Sequence, residues 1–151
     1  MTEVKRIEDQ LKRAFEGGAW HGPAVLEALE GVTAAEAAAR PIPSAHSIWE
    51  LVLHMATWKD VVSRRLQGES FDVPAEVDWP PVRATGASEW KAALARLHEA
   101  HERVRSTLAQ QKDAELDEKP SPKASSRYVL LHGVIQHDLY HAGQIVLLKK
   151  R

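Results

Sequence analysis

Apolar residues recur along this chain at the spacing of helix faces. Near the N-terminus Val4, Ile7, Leu11, Ala14 and Phe15 fall on one side, while Lys5, Arg6, Glu8, Asp9, Lys12 and Arg13 fill the other. Gly17-Gly18 stops this first amphipathic helix. A turn over 19–23 leads into a short helix over 24–29, ended by Gly31. Thr33 caps a second short, alanine-rich segment over 34–39, with Glu36 at the capping-box position and Pro41 and Pro43 behind it. Ser44 or Ser47 opens the next long helix, which runs to about Leu66 with Gly68 just beyond. Leu51, His54, Trp58, Val61 and Arg65 share one face of it.

Residues 69–87 contain Pro74, Pro80, Pro81 and Gly86 and read as a loop carrying Phe71 and Trp79. Loops of that length are uncommon unless they have a task. Ser88 caps a third long helix, 89 to about 111, striped by Trp90, Ala93, Leu94, Leu97, His101, Val104 and Leu108. A second loop over 113–126 precedes the last helix, which starts near Ser126 or Arg127. Its roughly 25 residues would span about 37 Å. No stretch alternates with the period of a strand. Four long amphipathic helices, with short extra helices in the first crossover, predict an all-α four-helix bundle forming one domain over 1–151. The crossovers are too long for simple up-down-up-down connectivity to follow from them.

Composition narrows the chemistry. Basic and acidic residues nearly cancel, 20 against 21, which argues against a broad nucleic-acid footprint. The absence of cysteine excludes disulfides, thiolate metal ligands and a cysteine nucleophile. The opening MTEVKRIEDQLKRAF lacks a signal-peptide core, and no apolar run reaches the length of a membrane span. A cytoplasmic location and no membrane partner are therefore expected.

The last helix, VLLHGVIQHDLYHAGQIVLLKKR, carries His137 and His141 four residues apart, hence on one side and one turn apart. Leu130, Val134, Gln144, Ile145 and Leu148 continue that stripe, so it is read as buried. His54 sits in the middle of the second long helix's apolar stripe. Buried imidazoles need partners. On the residues alone two readings stand. The three are core histidines satisfied by hydrogen bonds, or they are neutral ligands to a divalent ion, with coordination positions left open as in catalytic rather than structural sites.

The segments HGVIQHDLYHAGQIVLL and SIWELVLHMATWKD, together with AWHGPAVLEALEGVTAAEAAARPIP and the DWPPV loop, resemble the DinB-like superfamily, which includes bacillithiol S-transferase-like proteins. The likeness covers nearly the whole chain. It implies a four-helix bundle of up-down-down-up connectivity, often dimeric, with one histidine from the second long helix and an H-x-x-x-H pair from the last as metal ligands. Carried onto this sequence, those are His54, His137 and His141, holding a divalent transition metal, zinc or nickel. The implied partners are a low-molecular-weight thiol and a small electrophile, and a second copy of the chain. Two other functions are compatible with the resemblance: a hydrolase using metal-bound water, and a non-catalytic stress or binding protein.

Neighbouring residues receive roles from position. Gln144 either orients a ligand or a metal-bound water, or is a buried amide bonded to a neighbouring helix. Glu50, one turn before His54, is a supporting carboxylate or general base, or else a solvated carboxylate near a helix N-terminus. Asp138 is expected at the surface or an interface, and Tyr140 in the core with its hydroxyl bonded. Trp58 is expected to form an apolar pocket wall, His46 to rim the pocket, and Trp79 to anchor its loop. Gly133 and Gly143, each costing roughly 1 kcal/mol against alanine inside a helix, point to close helix approach.

Overall fold

The computed structural model describes residues 1–150 and is built from helices, with no strand among those residues. Four are long: α1 (Glu3–Phe15), α4 (Ile48–Leu66), α6 (Ala87–Ala109) and α7 (Arg127–Lys149). Three short ones, α2 (Val25–Leu29), α3 (Ala34–Ala38) and α5 (Ala75–Asp78), lie in the two crossovers that flank α4. The helix starts follow from capping chemistry. Ser47 Oγ accepts from the Glu50 N–H while the Glu50 carboxylate accepts from the Ser47 N–H, a reciprocal capping box at the head of α4. Thr33 and Glu36 do the same for α3. Gly68, at φ +91°, takes the left-handed conformation that ends α4. α6 begins two residues earlier than expected, with Gly86 rather than Ser88 at its cap.

Side-chain pairings set the directions. Trp49 packs on Trp90, Arg96 donates to Thr57, and Arg103 donates to Asp60, so α4 and α6 run side by side in the same direction. Phe15 meets His98, Glu8 pairs with Arg105, and Asp113 caps the N-terminus of α1, so α1 and α6 are antiparallel. His54 faces His141 and Lys59 faces Asp138, which makes α7 antiparallel to α4. The connectivity is up-down-down-up.

The core is two apolar clusters. One joins Phe15, Trp49, Val52, Met55, Trp90, Leu97 and Ile145 with the short helices of the first crossover. The other joins Ile7, Leu11, Val62, Leu66, Val104, Leu108, Leu131 and Val134. At their boundary lies a buried polar layer of Lys59, His101 and Asp138. Asp138 is thus not a surface group. α7 packs against α4 on one side and against α1 and α2 on others, so more than the histidine stripe is covered. Tyr140 is corrected in the opposite sense: it is two-thirds exposed, on the outer side of α7. A Cβ at Gly133 or Gly143 would meet no neighbour within 4 Å, so close helix approach inside the molecule does not account for either glycine.

A candidate metal centre

α4 supplies one imidazole and α7 two. His54 Nε2 lies 3.0 Å from His137 Nε2, and His141 Nε2 lies 3.0 Å from the same atom. A tetrahedral ion about 2.0–2.1 Å from each nitrogen would hold its ligands about 3.3 Å apart, close to what is seen. His54 and His141 are buried and His137 nearly so.

Counting protons tests whether hydrogen bonds alone can satisfy the trio. His54 Nδ1 faces two acceptors, the Asp78 carbonyl at 2.8 Å and Asp78 Oδ1 at 3.0 Å, so it carries its proton there. His141 Nδ1 lies 2.6 Å from Gln144 Oε1 and donates to it. Both neutral rings therefore present an Nε2 lone pair to His137. That ring has a single Nε2, able to donate to one of them and not to both. One of the two 3.0 Å contacts is left as lone pair against lone pair. A cation at the point of convergence removes the conflict. The donor set also fits a divalent transition ion, since all three are neutral-imidazole nitrogens.

The electrostatics keep the rings in ligand form. Burial, with neighbouring His141, His54 and Lys59 adding to it, pushes His137 down to about 3. Burial lowers His54 and His141 as well, partly opposed by Asp78 at the first and Gln144 at the second. Metal ligation requires such deprotonated rings.

Gln144 therefore sits against a histidine, holding its ring. Glu50 is engaged elsewhere: its carboxylate closes the α4 capping box and pairs with Arg40 at 2.5 Å, and it is absent from the cluster of histidine nitrogens. Its pKa is lowered: burial opposes the shift, and the Ser47 backbone, Arg40 and His46 produce it. Two neighbours of the trio, Asp78 and Trp79, had no periodic signal because they lie in the crossover. Trp79 stacks on His54, with ring centres 3.8 Å apart and planes within 5°. His46 stacks on the other face of Trp79, 3.5 Å away. Trp58 is partly buried and uses its Nε1–H on Asp78 Oδ1, 2.7 Å away.

A cavity of about 370 Å³ opens beside His141 and Gln144. Ile42, His46, Leu51, Trp79, Tyr140 and Leu147 form most of its wall, which contains no Lys, Arg, Asp or Glu side chain.

The DinB superfamily profile matches residues 19–145. The chain belongs to the DinB superfamily. The match spans all three histidines and the Asp78-Trp79 crossover, so this DinB protein carries its buried three-histidine group, able to hold a metal, inside the family region. Searches among curated proteins and among solved structures gave no match. One further group of metal-capable side chains exists among the described residues, Glu16, His101 and Glu102. There Arg105 pairs with both carboxylates, at 3.4 and 3.3 Å, and already supplies the cation. No helix among the described residues is long and apolar enough to cross a membrane.

Proposed function

We propose that this protein is a metal-dependent enzyme that joins a low-molecular-weight thiol to a small electrophile, holding zinc or nickel on His54, His137 and His141. The observation that carries the reading is that the Nε2 atoms of His54 and His141 each lie 3.0 Å from His137 Nε2, which can donate to one of them and not to both. A bound ion of this kind supplies Lewis acidity, making a coordinating thiol a thiolate at neutral pH. The chain's own residues do the rest. Asp78 and Gln144 orient two of the three rings. Three protein ligands leave room for substrate. Trp79, Leu51, Ile42 and Leu147 make the adjoining wall apolar, which favours an uncharged electrophile such as an epoxide or haloalkane.

Metal analysis of protein purified without chelator or histidine tag tests the centre. The wild type is expected to retain a divalent ion and His137→Ala to lose it; unchanged metal content in the variant would sink the assignment. Thiol consumption with uncharged electrophiles then tests the reaction. Turnover of an ester or amide with no thiol present would move the function to the hydrolytic alternative.

A further inference from the structure

The three rings are not equally supported from behind. Among the described residues, His54 has a carboxylate at its rear nitrogen, His141 has a neutral amide, and His137 Nδ1 is buried without a partner. The carboxylate comes from Asp78, at the end of the four-residue helix α5 in the long crossover between α4 and α6. Building on the metal reading, we propose that Asp78 is a positioning residue of the centre, fixing His54 with its proton on Nδ1 and its Nε2 lone pair free for the ion.

The geometry is over-determined. Asp78 meets Nδ1 twice, through its carbonyl and through Oδ1. The carboxylate is itself held by the Trp58 indole N–H, one turn beyond His54 on α4. The residue after Asp78, Trp79, lies flat on the His54 ring and blocks its rotation. Hydrogen bond, tether and stacking all act on one imidazole. A carboxylate behind a ligand imidazole sets the tautomer and strengthens the opposite nitrogen as a donor, and losing such a partner costs about 10–100-fold in metal affinity. Of the three rings, His54 is thereby the strongest donor. The crossover has its task in this contact: it delivers an anion to the back of a ligand.

Zinc affinity measured by competition with a chromophoric chelator separates charge from shape. Asp78→Ala is expected to weaken binding by about 10–100-fold. Asp78→Asn keeps an oxygen for both Trp58 and His54 but no charge, and should fall between. Trp58→Phe, which frees the carboxylate, should give a smaller loss in the same direction. Long-range proton–nitrogen NMR of the metal-free protein supplies a readout that a merely structural role would not move. His54 should carry its proton on Nδ1 in the wild type; in Asp78→Ala, where only the main-chain carbonyl still accepts from it, a larger fraction should be protonated on Nε2. Asp78 variants binding zinc within twofold of a wild type that does bind it, or a wild-type His54 protonated on Nε2, would overturn the proposal and leave the three-histidine centre standing. A wild type that takes up neither zinc nor nickel would remove the metal reading and this one with it.

Discussion

Lys59 Nζ lies 2.6 Å from Asp138 Oδ2, and neither side chain has any exposed surface. The pair joins α4 to α7 between the two apolar clusters, and His101 Nδ1, 3.3 Å from Nζ, extends it to α6. Phe15 of α1 lies beneath, its ring centre 4.8 Å from Nζ. All four long helices thus meet at one ammonium group. Burial pushes the Asp138 carboxyl up, with Lys59 pulling it back.

Removing one member of this pair strands the other without compensation. Lys59→Met and Asp138→Leu should each lose roughly 3–5 kcal/mol of stability, whereas the double variant should recover most of that. Denaturant unfolding of all four proteins closes the cycle. Additive losses in the double variant would show that the two charges are not coupled.

Gln144 holds His141 through a 2.6 Å contact, so its effect should be on metal affinity rather than folding. Gln144→Leu is expected to weaken zinc binding by about tenfold, and Gln144→Glu, a charged acceptor, to strengthen it. Chelator competition reads both, and equal affinity in the three proteins would remove Gln144 from the support of the site.

Acid should destabilise the metal-free protein in a defined window. Burial, then Lys59, Arg105 and His98, push His101 down to about 2, and His137 is pushed to about 3, against an ordinary value of about 6.5. A depressed pKa means that the unfolded chain takes up a proton the folded one refuses. The stability is therefore whole above about pH 6.5 and falls as pH drops toward the folded values, by at most about 1.4 kcal/mol per pH unit for each ring. Urea midpoints of chelator-treated protein between about pH 7.5 and about pH 5 check this. His101→Asn, which keeps an acceptor for Lys59, should flatten the slope; an unchanged slope would mean that His101 is not among the groups responsible.

Trp90 ties α6 to the first crossover, its Nε1–H donating to the Val32 carbonyl at 2.9 Å in a buried setting. Trp90→Phe keeps the ring packing and leaves that carbonyl without its donor, a loss of about 1–3 kcal/mol. Thermal unfolding measures it, and a variant as stable as the wild type would show that water replaces the indole.

What was legible in the sequence follows from where the signal is periodic. The stripes of α1, α4, α6 and α7 named the helices, the head of α4 was narrowed to Ser44 or Ser47, and the spacing of His137 and His141 placed two rings together. That His54 joins them depends on the antiparallel pairing of α4 with α7, which no spacing encodes and which only resemblance supplied. Glu50 drew attention by lying one turn from His54, yet a carboxylate at that position of a capping box turns back to its own helix end. That Asp78 and Trp79 of the loop meet His54 was hidden because a crossover's path is set by tertiary contacts. Lys59 and Asp138 were hidden because a charge at the junction of two clusters breaks the apolar pattern on both helices at once.

The stack of His46, Trp79 and His54 gives the molecule an optical reporter of its own. Trp79 lies flat on His54, so whatever changes the charge or occupancy behind that ring reaches the indole's excited state. Trp20, wholly exposed, emits as a solvent-facing indole whatever happens at the site, and serves as an internal reference. Metal uptake by the three histidines is therefore expected to register as a change in tryptophan fluorescence, with no added dye.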